Sequence, residues 1–572
     1  MKRLILFFAL ILTPLAGAGQ EAAPIIAYAP RVLPTQARHA MVAAQEAEAA
    51  RIGLDVLKRG GNAVDAAVAI GFALAVTLPR AGNLGGGGFM LAHDAAAGRT
   101  VAIDFRETAP AAATRDMFLN ADGRADPGKS RSSGLGVGVP GTVAGLLHAL
   151  ERYGSGRFSR ADLIAPAAAL ARDGLIVGQD LADSLPFALA RLGRHPSSAK
   201  IFLPSGAPLR EGDRLVQRDL AATLETIARE GARGFYHGPV AERIVAAVRA
   251  AGGRMTLDDM KAYRIVEREP LRGSYRGRDI VAMPPPSAGG VHLVQLFNVL
   301  EGFPLAALGQ NAAETIHLMA EAMKLAYADR AKFLGDPDHV KAPVAGIVSR
   351  PYAERLRGLI EAGRARPAQE VLSLDRAPPE SEQTTHFSVV DAQGNAVSLT
   401  TTLNFSYGLG LVAEGTGVLL NNELDDFAAA PGAANAYGLT GGEANAPGPG
   451  RRPLSSMTPT LVFKDGALEL VTGSPGGSRI ITIVLQMISN IVDHGLNVAE
   501  ATVAPRVHHQ WLPDELQVER GLSPDTIRLL EAKGHRVVER NAFGSAQSIH
   551  RVDGLWQGAA DTRQRGGAAL GY

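Results

Sequence analysis

A mixed α/β fold is expected from three features of the chain. Between Gln383 and Asn404, two β-branched alternating runs flank a turn at Ala392 to Asn395, the signature of an antiparallel hairpin. Elsewhere, stretches such as Glu46 to Arg59 and Glu314 to Leu334 place apolar residues at helical spacing. The two kinds of segment are interspersed without internal repeats.

Composition narrows the function. Of 572 residues, 46% are hydrophobic and 20% charged, with a net charge of +1, which fits a globular protein and offers no basic excess for nucleic acid. The absence of cysteine excludes disulfides, thiolate metal sites, a cysteine nucleophile and a lipidated N-terminal cysteine. Met1 to Gln20 has Lys2 and Arg3, a short apolar run and Ala16-Gly17-Ala18, the pattern of a secretory signal peptide ending near residue 18. The expected product is exported, periplasmic or secreted, without stable membrane insertion.

In chain order, Glu46 to Arg59 is a helix closed by Gly60-Gly61, and Asn62 caps a second helix from Ala63 to Val76. The cluster Gly82 to Met90 precedes a strand instead of opening a helix, so it suits a tight backbone approach better than a nucleotide loop. Val101 to Phe105 is the partner strand, and Arg106 ends it; alone, such an arginine reads as a surface or ion-pair residue. Pro140 opens a helix to Tyr153, while Ser159 with Asp162 and Thr256 with Asp259 form capping boxes. Met283 to Gly290 is a rigid loop. Arg364 to Glu382 is polar and leads into Thr384, as either an exposed cleavable junction or a plain linker. Ala430 to Arg452 is long enough to be a functional loop. Leu468 to Thr472 is a strand running into Gly473 to Ser478 and a helix from about Arg479 to Ile491, so Gly476 and Gly477 offer backbone amides where strand meets helix. His508-His509 lacks a third nearby ligand and reads as structural.

Mirroring the hairpin about residue 393 sets Thr384 opposite Thr402. Alternation then puts Thr400, Thr402 and Asn404 on one face, and Thr384, His386 and Ser388 on one face of the partner. A threonine hydroxyl needs a neighbouring base, which an N-terminal threonine carries in its own α-amine. Thr384 gains that amine only if the Gln383-Thr384 bond is cut; the spacing by itself equally describes a structural strand. Around the hairpin, Arg106, Ser455 and Ser456 suit a carboxylate, and Asn404, Glu423 and Asp426 suit an ammonium. Amides near Gly476 and Gly477 suit an oxyanion. The set matches an amide that bears an amino acid.

The ordered motifs GNLGGGGFM, AIDFRE, DRAKFLGDP, TTHFSVVDAQGNAVSLTTTLN, LLNNELDDF, RPLSSM and TGSPGGSR resemble those of the γ-glutamyltranspeptidases, N-terminal nucleophile hydrolases, over nearly everything after residue 18. The resemblance implies a four-layer αββα sandwich built jointly by a large subunit (19–383) and a small one (384–572), after self-cleavage between Gln383 and Thr384. It implies Thr384 as nucleophile, Thr402 as its hydrogen-bond partner, and Gly476 and Gly477 as oxyanion donors. Arg106, Ser455 and Ser456 would hold the α-carboxylate; Asn404, Glu423 and Asp426 would hold the α-ammonium. The Ala430 to Arg452 loop would be a lid, with Tyr437 reaching towards Asn404. The implied substrates are glutathione and other γ-glutamyl compounds, with water, amino acids or dipeptides as acceptors, and no metal or cofactor is required. Glu423 stands where bacterial relatives can carry glutamine; two acidic groups facing Arg106 at the opposite end of the site would favour an intact zwitterion. A glutaryl-type cephalosporin acylase and a non-catalytic exported binding protein are the competing readings.

Overall fold

A computed structural model describes residues 32–371, 384–430, 432–436 and 439–572. Gln383, Tyr437 and the leader, the subjects of three expectations, lie outside them.

The caps expected at Asn62, Ser159 and Thr256 are present, and Glu46, read as the first helical residue, is itself a cap. The Glu46 carboxylate accepts from the amides of Glu48 and Ala49 at the head of the Ala47–Lys58 helix, which gives way to Gly60 at φ 86°. Asn62 and Asp65, Ser159 and Asp162, and Thr256 and Asp259 each form a reciprocal capping box, satisfying helix-end amides that would otherwise lack acceptors. One start differs: the helix expected from Pro140 runs Thr142–Tyr153, because the amides of Gly141 and Thr142 both donate to the Gly86 carbonyl and hold the chain back from helical geometry.

Two seven-stranded sheets carry the architecture. The first is ordered Thr35–Ala37, Leu555–Ala560, Gln547–Val552, Ala467–Thr472, Thr460–Lys464, Arg278–Ala282, Leu271–Tyr275. The second is ordered Ala568–Gly571, Met41–Ala44, Thr385–Val390, Ala396–Thr402, Gly87–Asp94, Arg99–Phe105, Val266–Arg268. Every pairing within them is antiparallel. The central hairpin pairs Thr385 with Thr401 and His386 with Thr400, the register expected from mirroring about residue 393. Both sheets combine strands from before and after residue 384.

Alternation sorts each strand between two cores. Val42, Ala44, Met90, Phe387, Val389, Val397 and Leu399 face one core, against helices Ala47–Lys58, Ala63–Thr77 and Thr142–Tyr153. Met41, Ala43, Phe89, Leu91, Val390 and Ala396 face the other, between the sheets, which continues to helices Gly289–Leu300, Ala313–Phe333 and Ile480–Val492. The layers are helix, sheet, sheet, helix. No helix among the described residues is long and apolar enough to cross a membrane.

Two glycine segments permit the close approaches that shape the site. A Cβ on Gly85, Gly86 or Gly88 would stand 2.0 Å from the Leu419 carbonyl, 2.0 Å from the Thr402 carbonyl or 2.3 Å from the Thr400 carbonyl, so the cluster serves backbone proximity as its position before a strand suggested. A Cβ on Gly473 would lie 2.3 Å from His386 Cε1. Glycine there lets the loop after Ala467–Thr472 lie on the hairpin. Substituting Gly473 by alanine should cost about 1 to 3 kcal/mol of stability, read as a lower denaturant midpoint; an unchanged midpoint would mean that His386 moves aside freely.

Candidate active site

Parity aims the head of the hairpin into the space between the sheets. On this inward face Ser388 Oγ donates to the Gln547 carbonyl (2.8 Å), Ser398 Oγ donates to the Thr472 carbonyl (3.0 Å), and His386 Nδ1 lies 2.9 Å from Thr400 Oγ1. Burial pushes the His386 imidazole down to about 3, so it is a neutral link. Thr384, buried at the head of the same face, has its hydroxyl 3.4 Å from Thr402 Oγ1. The Thr402 hydroxyl also accepts the Asn404 amide (2.9 Å), and Asn83 Nδ2 donates to the Thr402 carbonyl (3.0 Å). Thr402 is thereby fixed from two sides.

Thr384 and Thr402 open on a pocket shared with Arg106, Arg330, Glu423, Asp426, Leu439, Ser455, Ser456, Met457, Gly477, Ser478 and Ile480. Arg106 Nη1 donates to Glu423 Oε1, Nη2 to Asp426 Oδ2 (2.6 Å), and Nε to the Pro453 carbonyl (3.1 Å). The carboxylates therefore sit on Arg106 itself, not across the site from it as the sequence reading had it. A buried charge without a partner costs several kcal/mol, so these groups neutralise one another. Glu423 Oε2 is buried and unpartnered, and Asp426 Oδ1 accepts from Asn435 of the 430–452 loop (3.0 Å). Burial alone would lower the Arg106 guanidinium, but Glu423, Asp426 and Glu107 raise it above its ordinary value. Glu423 and Asp426 are both raised, because burial outweighs the attraction of Arg106.

The opposite wall is the Ser455-Ser456 segment and the glycine turn. Ser455 is fixed by its amide to the Pro286 carbonyl (2.9 Å) and its carbonyl to the Ala288 amide (2.8 Å), joining it to the loop before Gly289–Leu300. Gly476 at φ 138° and Gly477 at φ 55° turn the chain into the Ile480–Val492 helix, a path that side chains beyond glycine rarely take. The Ala313–Phe333 helix braces both parts: the Tyr327 hydroxyl donates to the Ser478 carbonyl, and Arg330 Nη2 donates to Ser456 Oγ (3.1 Å).

Of the residues singled out from sequence, the pocket brings together Arg106, Thr384, Thr402, Glu423, Asp426, Ser455, Ser456 and Gly477. Gly476 sits one residue behind its wall. Asn404, at φ 72°, lies behind Thr402 with Nδ2 donating to the Asn422 carbonyl (2.9 Å). Arg330 and Glu107 were missed as site residues, although both fall in the quoted motifs DRAKFLGDP and AIDFRE. His508 lies 2.9 Å from Thr482 Oγ1, and His509 lies 3.2 Å from Asp514, which are structural contacts. Among the described residues His317, Glu321 and His535 form a group of metal-ligand type, but Lys324 already donates to Glu321 (2.9 Å) and the two imidazoles pair at 2.8 Å.

Stacked antiparallel sheets between helical layers, with a threonine heading a central strand, define an N-terminal nucleophile hydrolase fold. A cephalosporin acylase from Bacillus halodurans shares it at TM-score 0.82 and 26% identity, over 98% of this chain and 99% of that one. The family model for gamma-glutamyltranspeptidase matches residues 49–571, and the chain belongs to that family. It is 54% identical over 541 residues to a glutathione hydrolase proenzyme of Escherichia coli (strain K12), covering 94% of this chain and 93% of the relative. A Helicobacter pylori gamma-glutamyltranspeptidase structure aligns at TM-score 0.56 and 46% identity, over 57% of this chain and 93% of that one.

Glu107 gives the site a pH signature. Burial pushes its carboxyl up to about 7 from an ordinary 4.5, against the pull of Arg106, and neither oxygen has a hydrogen-bond partner. The folded state holds this proton more tightly than the unfolded chain, so its stabilising effect is full below about pH 4.5 and is lost as pH rises through about 7. Glu107→Gln should remove that decline. Denaturant midpoints of the two proteins at several pH values test it; parallel curves across the window would mean that Glu107 ionises normally.

Proposed function

We propose that the protein is a γ-glutamyltransferase and glutathione hydrolase that matures by cutting itself between Gln383 and Thr384. The observation that carries the reading is Thr384 at the head of a central strand, beside Thr402, facing a pocket that holds both an acidic and a cationic wall. In maturation, the Thr384 hydroxyl adds to the Gln383 carbonyl carbon, the C–N bond breaks with the amine taking the proton, and water hydrolyses the resulting ester. Gln383 ends as a carboxylate and Thr384 gains a free α-amine. Interleaving of strands in both sheets would keep residues 19–383 and 384–572 together as large and small subunits.

In turnover, the α-amine accepts the Thr384 hydroxyl proton as Oγ1 adds to the γ-carbonyl of a γ-glutamyl amide such as glutathione. Thr402 orients that hydroxyl. The oxyanion forms against amides of the Gly476 and Gly477 turn; one such donor is worth roughly 3 to 4 kcal/mol. The amine returns its proton to the leaving nitrogen, and the γ-glutamyl ester passes to water or to an amino acid or dipeptide. Arg106, Ser455 and Ser456 would hold the α-carboxylate. Glu423, through its unpartnered Oε2, would hold the α-ammonium with Asp426 and Asn404. Asn435 on Asp426 and Leu439 in the pocket wall support a lid role for the 430–452 loop, to which Tyr437 belongs. Function in the periplasm or outside the cell follows from the leader-like N-terminus.

Intact-mass analysis and N-terminal sequencing test maturation. The wild type should give two chains, the smaller beginning at Thr384, and Thr384→Ala should remain one inactive chain; an uncut but active wild type would refute the mechanism. Glu423→Gln should raise the KM of a γ-glutamyl anilide about tenfold, the worth of a charge-assisted hydrogen bond, with kcat changed less. A glutaryl anilide, which lacks the amine, should be a poor substrate of the wild type and indifferent to that change. Equal loss on both donors would contradict the ammonium assignment, and preference for the glutaryl donor would favour an acylase.

A further inference from the structure

Arg330 is the cation of the pocket that no carboxylate of the described residues contacts. It is 4% exposed, makes no ion pair among the described residues, and keeps its Nε buried without a hydrogen-bond partner. Burial, with repulsion from Arg106, pushes the guanidinium down to about 10 despite the fields of Tyr327 and Asp426. Arg106, equally buried, differs in its partners: all three of its nitrogens are engaged, two of them by carboxylates. The positive charge without a carboxylate contact therefore lies on the side of Ser456, where Arg330 Nη2 donates to the hydroxyl oxygen at 3.1 Å. An N–H that occupies a lone pair of Oγ leaves the hydroxyl proton free to be given elsewhere, and Ser456 lines the pocket.

We propose that Arg330 is a positioning residue for the α-carboxylate of the γ-glutamyl donor: it holds the Ser456 hydroxyl with its proton turned into the pocket, and it supplies positive charge that Arg106 shares with Glu423 and Asp426. This rests on the transferase reading above and adds a residue to its carboxylate subsite. The same helix anchors the glycine turn through Tyr327, three residues earlier, so one rigid element sets the carboxylate contact and the oxyanion turn relative to each other. A carboxylate bound at Ser456 would offset the cost of keeping a guanidinium buried without a counter-ion.

The test uses the processed enzyme with Arg330→Gln, Arg330→Lys and Ser456→Ala, each checked for a small chain beginning at Thr384. Two donors are compared: a γ-glutamyl anilide, and the same anilide with its α-carboxylate converted to an amide. Arg330→Gln should raise KM for the carboxylate donor about tenfold or more with kcat within about threefold, leave the amide donor unaffected, and be partly rescued by lysine. In the Ser456→Ala background, Arg330→Lys should have little further effect. Equal losses on both donors, or a fall in kcat with KM unchanged, would reduce Arg330 to a structural brace. An effect seen with glutathione but not with the anilide would move its carboxylate to the leaving side and overturn the assignment. Should Arg330→Gln fail to mature, the lysine and Ser456 comparison decides alone. Failure of the wild type to turn over the anilide would refute the transferase reading, and this inference with it.

Discussion

The period-two alternation of one central hairpin is the constraint on which the rest of the site depends. Because Phe387, Val389, Val397 and Leu399 must face the helices, Ser388, His386, Thr400 and Ser398 must face the other sheet. A slip of one residue would turn every side chain to the wrong layer. The inward face is consequently polar in the middle of a protein core, and its hydroxyls find partners across the sheet-to-sheet gap. Thr384 inherits that direction as the head of the strand, so its position is set by apolar residues it never touches.

Around it, the structure solves a second problem, the burial of several charges in one small space. Arg106 is engaged by Glu423, Asp426 and the Pro453 carbonyl, and Glu107 lies 3.8 Å away with a carboxyl whose protonation relieves the excess of negative charge. Arg330, which makes no ion-pair contact among the described residues, feels the fields of Asp426 and Arg106 from the serine side. Such a cluster is poor for stability, since each buried ion forfeits hydration. It is well suited to a ligand carrying both charges, because the orphaned Glu423 Oε2 and the unmatched Arg330 are the atoms such a ligand would complete.

The glycine segments connect these two features. Gly85, Gly86 and Gly88 let the second sheet's strands and the Leu419 carbonyl approach without side chains between them, and Gly473 lets the loop bearing the Gly476-Gly477 turn lie against His386. In each case the glycine is needed for what stands opposite it, and only at Gly476 and Gly477 for the backbone angle.

Much was legible from the chain alone. The hairpin and its register, the capping boxes, the close-approach role of the glycine cluster and the strand-to-helix glycine turn are local, because alternation, capping and turn chemistry act within a few residues. The motifs also supplied the family. The sequence could not say that Arg106 clasps the two acids it was expected to oppose, nor that Glu107 holds a proton near neutrality, nor that Arg330 leans on Ser456. Those facts join residues 106, 330, 423 and 456, far apart in the chain, and they arise only when packing removes water and each charge must find its counterpart. Local pattern determined where the strand headed by Thr384 would form and which way it would face; long-range burial decided the electrostatics of the pocket it faces.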